Sequence, residues 1–160
     1  MKNRSILFIL CFVMISCVTT KQRIEIPDFL IVENGKEILG HKSLNAFVFE
    51  NNQKNIPFDQ YIVSAFNLNN YAVKEVNVSI INEEFKLLFY DNDEFEKYIV
   101  SSNFYVKNLE PASAKIGNQP AFIAISVINN RNEDCLQPNS LYKNIIINYL
   151  KVLKTEYLNK

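Results

Sequence analysis

The stretch from 75 to 80 alternates polar and aliphatic residues, reading Glu-Val-Asn-Val-Ser-Ile. That two-residue period predicts a strand with one buried face. Similar runs, separated by turn residues, predict further strands. The predicted segments are a hairpin over 29–40 that turns at Asn34-Gly35, a strand over 43–50 that is apolar on both faces, a hairpin over 72–90 that turns at 82–84, a short strand over 104–109, and the most apolar strand over 121–128. Successive hairpins favour an antiparallel sheet.

Three other segments place apolar residues at helical spacing. Pro57 suits the first turn of a helix that Asn55 would cap, and a second helix begins at Asp91 and continues to about Ser101. The last helix is predicted from Ser140 to about Leu158, capped by Asn139 or Ser140. Its apolar stripe consists of Tyr142, Ile145, Ile146, Tyr149, Leu153 and Tyr157. The element order predicts one α+β domain over 25–160, with a mostly antiparallel sheet and about three helices packed on one face of it.

The order of these elements, with the turn Lys115-Ile116-Gly117 before an apolar strand, resembles the order in Mog1/PsbP-like domains. This resemblance covers the arrangement of strands and helices. It implies an architecture and no site, because one fold hosts many functions.

The N-terminus has the pattern of an export signal. Lys2 and Arg4 precede an almost wholly apolar run over 6–15, which is the layout of a secretory signal peptide. The run is shorter than the ~20 residues that cross a bilayer as a helix. The alternative is a buried helix of a cytosolic domain. Such a helix should be amphipathic, and this run is apolar all round.

The end of the apolar run, Met14-Ile15-Ser16-Cys17, resembles a bacterial lipobox. The resemblance implies diacylglyceryl transfer to the Cys17 thiol, cleavage before Cys17 and acylation of the new amine. Residues 1–16 would then be the cleaved signal, and residues 17–24 a lipidated tether. Val18 follows the cysteine and is not acidic, which by resemblance to lipoprotein sorting rules favours the outer membrane, facing the periplasm. Ordinary signal peptidase cleavage needs an Ala-x-Ala-like pattern, which this region supplies poorly.

Charge and cysteine content narrow the function classes. Removal of residues 1–16 takes away Lys2 and Arg4 and no acid, which leaves 15 basic and 17 acidic side chains and a net charge of −2. A weakly acidic domain lacks the basic patch of a nucleic-acid-binding protein. Cys135 remains after lipidation of Cys17, so no internal disulfide can form. An unpaired cysteine in an oxidising compartment either stays free or pairs with another chain.

The sequence contains no assembled catalytic or cofactor-binding set. Cys135 and the single histidine, His41, are the only thiol and base available for nucleophilic chemistry. Glu133 and Asp134 beside the cysteine would raise its pKa, opposite to what an activated thiolate needs. The segment 91–96 resembles the start of a calcium-binding loop, but Phe95 and Glu96 replace a ligand and the turn glycine, so a helix N-terminus is predicted instead. No metal or cofactor is expected.

Three tyrosines, Tyr142, Tyr149 and Tyr157, follow one another at spacings of seven and eight on the last helix. Tyrosine is common in binding surfaces because an apolar ring carries a polar tip. They are candidate partner-binding residues. Core packing with hydroxyls at the rim is the alternative.

The resulting hypothesis is a non-catalytic, lipid-anchored envelope protein that binds an envelope or secreted protein. An immunity or inhibitor protein and an accessory subunit are both consistent with it. A carrier of small ligands or lipids is the first alternative, and it predicts an apolar cavity between sheet and helices. A hydrolase of envelope polymers is the second alternative, and it predicts converging acids, or His41 near Cys135, in a cleft.

Overall fold

The computed structural model describes residues 24–37, 43–52, 56–69, 73–99, 104–105 and 120–160. The predicted signal peptide, Cys17 and His41 lie outside these ranges. Within the described residues, seven strands and three helices follow one another along the chain: β1 (Ile24–Glu25), β2 (Leu30–Val32), β3 (Ala46–Glu50), α1 (Phe58–Ala65), β4 (Glu75–Ile80), β5 (Glu83–Phe89), α2 (Asn92–Tyr98), β6 (Phe104–Tyr105), β7 (Phe122–Asn129) and α3 (Lys143–Leu158). The α+β class predicted from the sequence is confirmed.

Five strands form one sheet in the order β2-β3-β7-β5-β4, and every neighbouring pair is antiparallel. β7 is the central strand, and all eight of its residues are buried. Its apolar run, interrupted before Asn129 by Ser126 alone, fits a position covered on both faces. Asn129, at the end of β7, pairs with Phe85 of β5. β1 and β6 form a separate, parallel pair.

The first face of the sheet carries the main core. α1 and α3 pack here, on Phe47 and Phe49 of β3 and on alternate residues of the neighbouring strands. An aromatic cluster fills this layer, with ring centroids 5.0–6.5 Å apart. Its members are Phe49, Phe58, Tyr61, Phe89 and Tyr157. The buried side of α3 consists of Ile146, Leu150, Leu153 and Tyr157, so the predicted stripe is shifted to include Leu150.

The second face is covered by α2, and the expectation that all helices pack on one face is wrong. Phe95 and Ile99 of this helical segment pack against Val48 and Phe122 of the sheet, and the rings of Phe95 and Phe122 stack at 5.9 Å. The reason lies in β3, whose residues are buried on both faces. Apolar side chains on the second face need a cover of their own.

The capped start of α2 agrees with the sequence. The Asp91 carboxylate accepts a hydrogen bond from the Glu94 backbone at 2.8 Å, and Glu94 Oε2 accepts from the Asp91 backbone at 3.2 Å. This reciprocal arrangement is a capping box. The other two caps differ from expectation, since α1 begins after Pro57 and α3 begins after Tyr142. Among the described helices, none has the length and apolar content that a bilayer crossing requires.

The segment around Asn34-Gly35 does not turn as predicted. β2 pairs with β3, with Val32 opposite Ala46, and the chain beyond Asn34 continues alongside the same partner. Gly35 N donates to Leu44 O at 2.7 Å, and Leu44 N donates to Lys36 O at 3.0 Å. Asn34 adopts a positive φ of 62°, which forms a bulge. Through this pairing Ile31 packs on the core of one face of the sheet, and Leu30 and Val32 pack on the core of the other face.

The β4–β5 turn lies one residue earlier than predicted. Ile80 pairs with Glu83, so Ile81 and Asn82 form the turn, with φ of 55° and 62°. Two positive φ values define a type I′ turn, which matches the twist of a hairpin. β-branched residues rarely adopt a positive φ, so Ile81 is in an unfavourable backbone conformation. Its side chain is 69% exposed, so burial of the side chain does not compensate for this conformation.

Replacing Ile81 with Asn and Asn82 with Gly is expected to raise the free energy of unfolding by about 1 kcal/mol, because Asn-Gly adopts the turn without the strain of a β-branched residue. Urea unfolding followed by circular dichroism would measure the change. The matched control is Ser79→Asn, on the exposed side of β4. An equal or lower midpoint for the double variant would contradict the strain argument.

Candidate functional site

A cleft of about 650 Å³ opens at the end of the sheet where β7 ends. Most of its lining comes from the loop over 129–140, which is rich in amide and carboxylate side chains. Leu44 contributes an apolar patch, and Leu141 and Tyr142 continue the lining into the start of α3. A concave site with both apolar and polar groups is the usual form of a binding site.

Asn129 folds the loop back on itself. Its Oδ1 accepts from the backbone N–H of Arg131 at 2.9 Å and of Glu133 at 3.0 Å, and its Nδ2 donates to Glu133 Oε2 at 2.7 Å. Asn132 has a φ of 59°, a left-handed conformation that asparagine tolerates. These bonds hold the loop in one shape from inside.

Asp134 ties the loop to the sheet. Oδ2 accepts from the Asn45 backbone at 2.7 Å, and Oδ1 accepts from the Leu136 backbone at 2.8 Å. Cys135 N also donates to Val127 O at 2.9 Å. Burial raises the pKa of the Asp134 carboxyl, and the two backbone donors oppose that rise. The cleft wall is therefore a fixed part of the domain.

Arg131 is the cationic group of the cleft. Its Nη2 lies 3.1 Å from Glu133 Oε2, and both side chains are exposed. The carboxylate orients one edge of the guanidinium, and the Arg131 side chain stays 75% exposed. A planar guanidinium held in this way is suited to an external carboxylate or carbonyl oxygen.

The three tyrosines lie in different surroundings. Tyr142 is half-buried, lines the cleft and packs edge-on against Phe85 at 5.1 Å. Tyr149 is half-buried on α3, and burial raises its pKa, with a smaller contribution from Glu156. Tyr157 is 0% exposed, and its hydroxyl donates to Asn51 Oδ1 at 2.7 Å. In this conformation Tyr157 belongs to the core and offers no binding surface, which corrects its assignment to the partner-binding set.

Cys135 is a buried, free thiol with 1% exposure. Burial raises its pKa to about 12, and Asp134 and Glu133 add to the rise. The thiolate is the reactive form, so this cysteine suits neither catalysis nor a disulfide with another chain. His41 lies outside the described residues, so its position relative to Cys135 is not described.

We expect Cys135 to resist Ellman's reagent at pH 8 and to react stoichiometrically in 6 M guanidinium. The raised pKa and the burial both suppress attack on the reagent. An Asn139→Cys variant, exposed in the same loop, is the matched control and should react within the mixing time. Rapid labelling of the native protein at Cys135 would show that the loop opens.

Metal binding has no support in the described part of the chain. Within those ranges, no three His, Cys, Asp or Glu side chains lie close enough together to hold an ion. Asp91 and Glu94 form the capping box of α2, at the helix N-terminus that the sequence predicted over this segment. Every buried side-chain nitrogen or oxygen in the described ranges also has a hydrogen-bond partner, as is usual in folded proteins.

The local sequence patterns identified neither Arg131 nor the cleft. The available signal was Asn129, an asparagine directly after the apolar run, since such residues start side-chain-supported turns. The contact of the loop with Asn45 links residues 89 positions apart, which a local pattern does not reveal.

Comparison with known proteins adds no family assignment: no family model, curated protein or solved structure matches this chain.

Proposed function

We propose that this protein is a lipid-anchored protein of the bacterial envelope that acts by binding a partner protein through the cleft at 129–142. The observation that carries the proposal is Leu141, which is 93% exposed at the lip of the cleft. Exposed single leucines are common. Leu141 adjoins Tyr142 and the polar loop of the cleft wall. An apolar and aromatic centre surrounded by polar residues is the usual arrangement of a protein–protein interface.

The chemistry of the cleft favours binding over catalysis. Asp134 accepts backbone hydrogen bonds on both oxygens, and Glu133 Oε2 is bonded to Asn129 and paired with Arg131. A general acid or base must be free to reach the proton it transfers. These carboxylates are engaged in holding the loop, and the neighbouring thiol is protonated and buried.

The packing between sheet and helices favours a protein partner over a carried lipid. A lipid carrier needs an apolar cavity in that layer. Here the aromatic cluster occupies the layer, and Tyr157 contacts the rings of Phe49, Phe58 and Tyr61. The cleft lies outside that layer, and its lining combines the polar residues of the 129–140 loop with Leu44, Leu141 and Tyr142.

The lipid anchor is tested by the intact mass of protein extracted from bacterial membranes. The expected mass is that of residues 17–160 plus acyl groups, because the lipobox resemblance implies cleavage before Cys17. A Cys17→Ala variant should lack the acyl mass and leave the membrane fraction, since stable anchoring needs the acyl chains. An unmodified precursor in the soluble fraction would overturn the anchor.

Partner binding is tested with a photo-cross-linking benzoylphenylalanine at Leu141. The matched control is the same residue at Val152, on α3 but outside the cleft lining and 57% exposed. A captured protein is then purified for titration. Leu141→Asp should weaken its binding by about 2 kcal/mol, roughly 30-fold, as for an interface anchor, and Val152→Asp should have little effect. Equal effects of the two substitutions would overturn the assignment of the cleft.

A further inference from the structure

The central strand separates two poles of the domain. β7 begins at Phe122, whose ring stacks on Phe95 in the same cluster as Ile26. It ends at Asn129, in the wall of the cleft. Eight residues of strand extend about 24 Å. We call the end near Ile26 the tether pole and the end at the cleft the cleft pole.

The direction of α3 provides independent evidence for these two ends of the domain. α3 begins beside Tyr142 in the cleft and runs back along the sheet. Near its end, Tyr157 bonds to Asn51, and Asn51 Nδ2 donates to Pro120 O at 2.8 Å, just before β7 begins. Lys154 forms an ion pair with Asp28. The helix therefore runs from the cleft pole to the tether pole, over about 24 Å at 1.5 Å per residue.

The first described strand begins at Ile24, two residues before Ile26. Ile24 follows Cys17 by seven positions in the sequence, and seven residue steps span at most about 25 Å when fully extended. An anchor on Cys17 therefore keeps the start of β1, at the tether pole, within about 25 Å of the lipidated residue. The cleft pole lies on the far side of the fold.

We infer that the cleft is the membrane-distal surface of the anchored protein and receives a partner protein that approaches from the aqueous side. The inference rests on the proposed lipid at Cys17. Ile81 lies at the same end of the sheet and is exposed. Asn129, the last residue of β7, pairs with Phe85. The β4–β5 turn at Ile81 and Asn82 comes before Phe85 in the chain and so lies beyond the end of β7. Leu141 and Ile81 are thus both presented away from the membrane.

The exposed residues Leu141 and Arg131 at the cleft pole indicate which chemical groups the partner surface presents. Leu141 needs an apolar pocket, since an exposed leucine gains by leaving water. Arg131 pairs with Glu133 through Nη2 and is 75% exposed, so the guanidinium can also donate to an acceptor on a partner, for which a carboxylate is the best match. The partner is therefore a protein surface with an apolar pocket bordered by a carboxylate.

Orientation is measured with the lipidated protein in phosphatidylcholine vesicles that contain a fluorescent lipid as energy acceptor. A donor dye is placed on Leu141→Cys or on Asn159→Cys, two exposed positions at opposite ends of α3. Buried Cys135 does not compete for the dye. Energy transfer should be clearly stronger from position 159, because the two ends of the helix are about 24 Å apart.

Equal transfer from both positions, or stronger transfer from position 141, would overturn the inference while leaving anchoring and partner binding intact. Protein missing from the vesicles would instead overturn the proposed anchor, and the inference with it. These two failures are separated by the amount of vesicle-bound protein, which is measured before the dye signal.

Partner chemistry is tested by charge reversal against a partner captured from position 141. Arg131→Glu should weaken binding at least tenfold, with Lys160→Glu at the tether pole as the matched control. Reversing the partner's carboxylate to arginine should restore binding to Arg131→Glu. Loss of binding without rescue would overturn the carboxylate match. A cross-link from position 141 to lipid, to a second copy or within the chain would overturn the partner-protein assignment.

Discussion

Replacing Tyr157 with alanine is expected to lower the free energy of unfolding by about 4 kcal/mol, the range for removing a large buried aromatic side chain. The ring is fully buried and contacts Phe49, Phe58 and Tyr61 in the aromatic cluster. Its loss leaves a cavity between α3 and the sheet. Because domains of this size are marginally stable, such a loss removes a large part of the total stability.

The variant Tyr157→Phe measures the contribution of the hydroxyl to stability apart from that of the ring. It keeps the packing and removes the hydroxyl that donates to Asn51 Oδ1, so a smaller loss of about 1–2 kcal/mol is expected. Urea unfolding followed by circular dichroism at 222 nm measures both variants. Val152→Ala, at an exposed position of α3, should change the midpoint little. Similar midpoints for Tyr157→Ala and the natural protein would show that α3 does not pack as described.

Replacing Gly35 with alanine is expected to destabilise the fold by about 3 kcal/mol, at the upper end of typical overpacking costs. A Cβ atom at this position would overlap Tyr90 Oη and lie 2.7 Å from Leu44 O. The Tyr90 hydroxyl cannot move freely, since it accepts from Lys36 N at 2.7 Å and lies 2.8 Å from Ser126 Oγ. The close approach therefore requires glycine.

A double-mutant cycle with Tyr90→Phe tests this explanation. Removing the hydroxyl relieves one of the two contacts, so Gly35→Ala should cost clearly less in the Tyr90→Phe background than alone. The remaining cost reflects the Leu44 carbonyl. Glu37→Ala, an exposed substitution two residues away, is the matched control. Additive effects of Gly35→Ala and Tyr90→Phe would contradict the clash with the hydroxyl.

The same hydroxyl belongs to a buried polar chain that no local pattern predicted. Lys36 Nζ donates to Phe89 O at 2.7 Å and to Glu94 at 2.9 Å, and it lies 4.6 Å from the centre of the Tyr90 ring. Ser126 Oγ continues the chain to Asn45 O at 2.7 Å. A lysine is buried only when its charge is paired, and these partners are 53 to 58 positions away in the sequence.

The sequence by itself determined the local elements. The alternation over 75–80, the apolar run that became β7 and the acids that cap α2 all act over a few residues, so period and capping identify them. The sequence also carries the lipobox resemblance, which stays a prediction.

Tertiary structure decided which elements meet. β2 pairs with β3 and does not form a hairpin at Asn34-Gly35. α2 packs on the second face of the sheet. Tyr157 is buried in the core, whereas Tyr142 lines the cleft. These outcomes depend on which packing buries the most apolar surface and satisfies the most polar groups at once. Both the buried apolar surface and the hydrogen bonds involve residues far apart in the chain. Local sequence patterns therefore do not predict the cleft.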